Sequence, residues 1–540
     1  LDDLAQRIGR HLAHGEPLPD PVLALLGSEP VPEQGAARLA ALRACLRAQR
    51  KTMIERFGPY LELATLAESL ATAERAVYAS DQLIHDLAVW YHIAWIGETV
   101  RRSDPRIAAY TEQARGFTAE QRRAFLGLIG ELIGGIIPRY RALSEQGRCE
   151  LAVSPYSHPI LPLLLDFRAA RESVPDAPLP QHAGYPGGAE RAAWQTAESI
   201  RVFERYFGAP PAGCWPSEGA VSTAALEVLD AHGFRWVASG SSVLRASLAA
   251  SSAHAATPGA QAAASGSPAH DAGAQPPGGA PPADDPGALR RPYRLASGRL
   301  ACFFRDDRLS DLIGFTYAPW RGDDAARNLA RELAELARAA GAGPDQVTLI
   351  ALDGENAWEY YPFNAYYFLD ALYGALCEDP ALELMTLSQY LARGPAPRTL
   401  ERMVAGSWVH GTLATWIGDA AKNAAWDLLC DAKLAFDDAL ARGELAGERR
   451  AAAERQLALC EGSDWFWWFG DYNPPEAVRQ FDELYRRQVA SLYRLLGRSA
   501  PASLSQPLSQ GRASDRAGAG SDEGGAAAEQ GGVMRRASAT

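Results

Sequence analysis

Lysine is almost missing from this 540-residue chain: Lys51, Lys422 and Lys433 are the only lysines among 53 basic residues, and the rest are arginine. Against 65 acidic residues this gives a net charge of −12. A surface of that sign does not track nucleic-acid phosphates, so no nucleic-acid partner is expected. Long apolar runs are missing too. No stretch reaches the ~18 consecutive apolar residues of a membrane-spanning helix. The most apolar-leaning window, 125–137, is interrupted by Gly127, Gly130, Glu131, Gly134 and Gly135, so no membrane partner is expected. The seven cysteines (Cys45, Cys149, Cys214, Cys302, Cys377, Cys430 and Cys460) are odd in number and contain no C-x-x-C pair. That excludes a dense disulfide framework and suits reduced thiols in a cytoplasmic protein. No leader peptide is visible, but the chain opens on Leu1 rather than Met, so that absence decides nothing.

The common catalytic signatures are absent as well. There is no phosphate loop of the form G-x-x-x-x-G-K-[ST], no G-x-G-x-x-G, no G-x-S-x-G elbow and no H-E-x-x-H. The ten histidines are scattered, and the close pair His11/His14 has no third ligand beside it. No metal and no other cofactor is expected.

What is there is a chain with 47% hydrophobic residues, enough for a large core organised as two or three domains or as one barrel with an appendage. Two segments fall outside that core by composition. Residues 246–290 are mostly Ala, Ser, Pro, Gly and His, and 499–540 mostly Ser, Gly, Ala and Arg. Both are expected to be disordered, the first as a loop insertion and the second as a tail. Elsewhere, strand-like runs at 150–154, 213–216, 236–239, 300–304 and 347–353 alternate with helical patterns at 120–145, 189–206, 223–232, 325–340 and 364–377. That rhythm predicts an α/β fold with a parallel sheet. After about Asp419 it gives way to successive helical patterns at 420–441, 448–460 and 475–496.

Three motifs follow strand-like runs. In Ser154-Pro155-Tyr156-Ser157-His158-Pro159 a histidine is held between prolines. It either hydrogen-bonds a ligand hydroxyl or caps the helix that follows. In Gly213-Cys214-Trp215-Pro216-Ser217-Glu218-Gly219 a carboxylate stands just past a strand end beside an indole, where active sites of α/β folds sit. The alternative is a glutamate favoured by the dipole of the next helix. In 347–362 an apolar strand delivers Asp353, followed by Gly354, Glu355, Trp358, Tyr360 and Tyr361. Two acids at strand ends with tryptophans near both suit glycoside hydrolysis, in which one carboxylate attacks or stabilises the anomeric carbon and the other protonates the leaving oxygen. Of the thirteen tryptophans, Trp358, Trp408, Trp416, Trp465, Trp467 and Trp468 lie in or near glycine-punctuated segments. Individually each suits a core better than a ligand platform, but the run Trp465-Phe466-Trp467-Trp468 is hard to bury completely.

Six segments in chain order resemble glycoside hydrolase family 57, the group of α-amylases, amylopullulanases and 4-α-glucanotransferases. They are SPYSHPILPLL (154–164), GCWPSEGAVS (213–222), FFRDDRLSDLIGF (303–315), LDGENAWEYYP (352–362), GSWVHGTLATWIG (406–418) and GSDWFWWFG (462–470). The similarity extends from about Arg43 to Leu496. It implies an incomplete (β/α)7 barrel over 1–418 with helical insertions, a C-terminal helical bundle over 419–498 and a tail over 499–540. It also implies retention of anomeric configuration without a metal, on α-1,4-glucans, by hydrolysis or by transfer to another sugar. Glu218 matches the family's nucleophile and Asp353 its general acid/base. His158, Trp215, Arg305, Asp306, Glu355, Trp358, Trp408, Trp416 and Trp467 are implied to line the glucan. One element of the family pattern, a first strand carrying His-Gln-Pro, has no counterpart here. The chain is therefore expected to lack that strand, and a glucan-binding protein impaired in catalysis is the alternative function.

Overall fold

The computed structural model describes residues 1–27, 30–255, 287–339, 346–354, 358–470 and 472–509. Its centre is a five-stranded sheet in the order β1-β2-β4-β3-β5. The strands are β1 (Gly213–Cys214), β2 (Trp236–Gly240), β3 (Tyr293–Leu295), β4 (Ala301–Arg305) and β5 (Arg398–Leu400). β1, β2 and β4 run parallel, with Cys214 opposite Val237 and Val237 opposite Cys302. Single parallel bridges extend the row at both ends, Val153 to Cys214 and Leu349 to Arg305. The five expected strand-like runs therefore lie side by side in chain order. The sequence pattern missed β3, which is antiparallel to β4, and β5, which is parallel to β3. Each is only three residues long and carries an exposed arginine, Arg294 or Arg398.

Every residue of β2 and β4 is buried, as expected for a parallel sheet covered on both faces. Their side chains alternate between two apolar layers. Val237, Cys302 and Phe304 enter the main core, whereas Trp236, Ala238, Ala301 and Phe303 pack on the opposite face with Tyr390. The main core is closed by the helix Gly188–Phe207 and by the C-terminal helices Ala420–Ala441, Gly447–Cys460, Ser463–Trp468 and Pro475–Leu495. Trp426 stacks on Phe466 at 4.1 Å there, with Tyr485 beside them.

Residues before the sheet are helical and build a second core around Ile8, Tyr60, Trp90 and Phe125. The expected single helix over 120–145 is two, Ala119–Gly134 and Ile136–Glu145. Pro138 has no N–H to donate to the carbonyl four residues back, and the helix breaks there. The N-terminal helices reach the rest of the molecule through Glu98. This nearly buried carboxylate pairs with Arg56, Arg101 and Arg102. Arg101 then donates to Asn364 Oδ1 and Arg102 to Tyr367 Oη, gripping a turn in which Phe363, Asn364 and Ala365 all have positive φ.

Parts of both segments expected to be disordered are ordered. Ala246 to Ala255 belong to the helix Ser241–Ala255, and Ser247 is fully buried with its Oγ accepting from the Val404 N–H. Arg290 is also buried. At the other end, Leu504 packs inward and Asp482 Oδ1 accepts from the N–H groups of Leu508 and Ser509. Composition hid this because alanine and serine are compatible with a helix that packs closely. Residues 256–286 and 510–540 of those two segments lie outside the described residues. Among the described residues, no helix is long and apolar enough to cross a membrane.

Candidate active site

Parallel strands present their carboxyl ends at one edge, so the residues just past Val153, Cys214 and Leu349 are brought together although 196 positions separate the first from the last. At that edge lies a cleft of about 430 Å³, lined by Ser154, His158, Trp215, Glu218, Trp408 and the 350–354 segment that includes Asp353.

Glu218 sits in the one-turn helix Ser217–Gly219 with φ 55°, ψ 28°. A left-handed conformation costs a non-glycine residue about 1–2 kcal/mol and persists only where its surroundings enforce it. Here the enforcement comes from the 406–418 segment. Ser407 Oγ donates to the Glu218 carbonyl at 2.6 Å, the Trp408 N–H donates to the same oxygen at 3.3 Å, and the Trp408 indole N–H donates to Glu218 Oε2 at 3.0 Å. Trp408 comes this close because Gly240, at the end of β2, has no side chain. A Cβ there would lie 2.7 Å from the Trp408 Cα. Trp215 meets Trp408 edge-on at 5.0 Å, and the Arg305 guanidinium lies 4.5 Å from the ring centroid of Trp408.

Arg305 also ties the two sides of the cleft. It pairs with Asp307 at 2.6 Å and donates to the Ala351 carbonyl at 3.1 Å, bracing the backbone that leads to Asp353. Past Asp353, the Trp358 indole N–H closes on the Gly354 carbonyl at 2.9 Å. His158 faces the cleft with φ 61°, its Nδ1 at 2.7 Å from Ser463 Oγ. A carboxylate oriented by an indole N–H, a second carboxylate on a braced segment and two indole walls can together perform nucleophilic and acid–base chemistry on a ring-shaped polar substrate.

The cleft thus gathers Glu218, Asp353, His158, Trp215 and Trp408, with Arg305 and Trp358 supporting it. The four other residues expected on the ligand, Trp416, Trp467, Asp306 and Glu355, have different outcomes. Trp416, expected on the ligand, is fully buried in the main core, with Trp467 packed against it at 5.9 Å. The space below the 406–418 segment is filled by these rings because the C-terminal helices dock there. Asp306 caps the helix Asp307–Asp311, its Oδ1 accepting from the Leu309 N–H at 3.0 Å, and it does not line the cleft. Glu355 lies outside the described residues. Sequence reasoning missed Ser154 and Ser407, small polar residues inside motifs whose larger neighbours drew attention. It also missed Gln195 and Glu461, which stand in helical sequence without any local signal. Among the described residues, no group of three or more His, Cys, Asp or Glu is placed to hold a metal.

The model of glycosyl hydrolase family 57 matches residues 49–403, well over half of the chain. The chain belongs to glycosyl hydrolase family 57. Membership makes it an enzyme of the glycoside hydrolases, and the cleft lies in the matched span apart from Trp408. No curated protein sequence matches the chain. Among solved structures, a family 57 branching enzyme from Pyrococcus horikoshii is similar at 17% identity and a TM-score of 0.49, over 87% of this chain and 87% of that one. An α-amylase from Thermotoga maritima is similar at 14% identity and 0.49, over 89% and 93%. A family 57 branching enzyme from Thermococcus kodakaraensis is similar at 15% and 0.48, over 88% and 85%.

One of the three lysines holds the two tryptophan-rich segments of this family 57 chain together. Lys422 is almost completely buried, and its Nζ donates to the Thr415 and Phe466 carbonyls at 2.5 and 2.7 Å and to Tyr472 Oη at 2.6 Å. Burial pulls its pKa down to about 7, with Asp419 only partly opposing. An unfolded lysine holds its proton to about 10.4, so between about pH 7 and pH 10 the unfolded state binds more protons at this site than the folded state. Stability from this group therefore rises with pH across that window. Thermal melts at pH 6 to 9 should show a component of Tm that climbs with pH and is missing in Lys422→Met. Parallel Tm–pH curves for the two proteins would show that Lys422 stays charged in the fold.

Proposed function

We propose that this chain is a retaining enzyme acting on α-1,4-linked glucans, with Glu218 as nucleophile and Asp353 as general acid/base. The observation that carries the reading is the convergence of these two carboxylates on one indole-walled cleft, one from beyond β1 and the other from the segment that bridges β4 at Leu349. Trp215 and Trp408 line the cleft, and indoles suit the C–H side of a glucose ring. In the first step Glu218 attacks the anomeric carbon while Asp353 protonates the leaving glycosidic oxygen, giving a covalent glycosyl-enzyme. In the second, Asp353 takes a proton from the incoming hydroxyl, which attacks the same carbon and releases Glu218. Water as acceptor gives hydrolysis, and a sugar hydroxyl gives transfer.

The row of parallel segments from Val153 to Leu349 supports an incomplete (β/α)7 barrel as the frame of this site, and the helices after Asp419 support a helical layer packed on it. Seven free cysteines support a reducing compartment such as the cytoplasm. Incubating the protein with maltoheptaose and following the anomeric protons by NMR tests the reaction. The first products should carry the α configuration, before mutarotation. Initial β products, or turnover of β-glucans in preference, would overturn the reading.

A further inference from the structure

His158 is held more firmly than a cleft residue needs to be if its only task is to fill space. It has a left-handed backbone, φ 61°, a conformation a histidine keeps only under constraint. One residue supplies the constraint at both ends of it. The Ser463 N–H donates to the His158 carbonyl at 2.9 Å, and Ser463 Oγ lies 2.7 Å from Nδ1. Ser463 opens the helix Ser463–Trp468. It approaches because the residue before it, Gly462, has no Cβ, which would lie 3.0 Å from the Ser157 carbonyl oxygen.

Behind this contact stands a buried polar chain. Glu461, 0% exposed, accepts from Arg191 Nε at 2.7 Å, Tyr185 Oη at 2.7 Å and Gln195 Nε2 at 2.6 Å. Gln195, also 0% exposed, receives the Tyr156 N–H on its carbonyl and the Ser157 N–H on its Oε1. The residues on both sides of Ser463 in space are thereby fixed.

The geometry also decides where the imidazole proton sits. Ser463 is 1% exposed, and among the described residues its Oγ has no hydrogen-bond partner besides His158 Nδ1. If Nδ1 carried the proton, the serine hydroxyl hydrogen would be buried without an acceptor. With the proton on Nε2, the serine donates to Nδ1 and its hydroxyl hydrogen is satisfied. We infer that Ser463 is a positioning residue that fixes His158 as the Nε2–H tautomer, so that the imidazole donates a hydrogen bond to a hydroxyl oxygen of the sugar bound in the cleft.

The sugar in that statement rests on the glucan reading given above, whereas the tautomer does not, and the test separates them. Long-range ¹⁵N–¹H NMR of the full chain, with the His158 signals assigned by their loss in His158→Gln, reads the tautomer directly. The expected result is a protonated Nε2 and a bare Nδ1 in the wild type. Ser463→Ala should mix the tautomers and raise KM for maltoheptaose about tenfold, the scale of one buried hydrogen bond, with a smaller change in kcat. Ser463→Thr, which keeps the hydroxyl, should restore both. A protonated Nδ1 in the wild type, or a His158 spectrum unchanged in Ser463→Ala, overturns the inference, as does an unchanged KM in that variant. The expected spectra in a protein that turns over no α-glucan would support the positioning and overturn the reading of the substrate.

Discussion

Glu218→Ala should lower turnover of α-1,4-glucans by roughly 10⁴-fold or more, as loss of a nucleophile does, while the protein stays folded. The two effects separate because the turn is anchored through the Glu218 backbone. Ser407 Oγ and the Trp408 N–H bind its carbonyl oxygen, and alanine keeps that oxygen. What alanine loses is the carboxylate and the indole N–H bond to Oε2, leaving a space the size of a small anion beside the anomeric carbon. Azide entering that space should attack from the face Glu218 used. No second displacement follows, so an α-linked substrate should yield the inverted β-glycosyl azide. This product identifies the nucleophile more strictly than loss of activity does. Residual activity above a few per cent, or an α-configured azide, would mean that another group attacks.

The second large effect belongs to Asp353, and it should depend on the leaving group. Asp353→Ala should cut kcat for maltoheptaose by about 10²–10⁴-fold, the usual contribution of general acid–base catalysis. An aryl α-maltooligoside with a nitrophenolate leaving group needs little protonation. Its first step should be nearly spared, with the glycosyl-enzyme accumulating because no base remains to activate the acceptor. A burst of nitrophenolate close to one equivalent, followed by slow turnover, is the expected trace. An equal loss on both substrates would point to a structural role for Asp353, next to the backbone that Arg305 braces.

Much of this cleft was readable in the sequence because its two carboxylates follow apolar runs that lie side by side. An apolar run followed by a lone acid and an indole, as at 213–218 and 347–353, signals both the strand and the position past its end. Parallel pairing then brings such ends together without further information. Roles that depend on contacts between distant segments were not readable. Trp408 and Trp416 stand in one glycine-punctuated segment with similar neighbours, yet the first bonds Glu218 and the second is sealed beneath the C-terminal helices. Asp306 resembled a ligand-binding acid and is a helix cap, a distinction that depends on where the helix begins. β3 and β5 were too short to show a period, and the helical flank of the Ala/Ser-rich segment looked like linker because composition does not register packing against Val404.

The contact between Ser463 and His158 spans 305 residues, and that separation has a consequence for biosynthesis. At about 5–20 residues per second, His158 is made roughly 15–60 s before Ser463. Late in that interval the nascent chain holds the strands and Gln195 but lacks Glu461, and the sheet face later covered by Phe466 and Tyr485 is bare. A half-made chain is therefore an unsealed apolar surface rather than a weak version of the finished enzyme. Stalled or prematurely terminated products should be aggregation-prone and dependent on chaperones until the last long helix, Pro475–Leu495, has emerged.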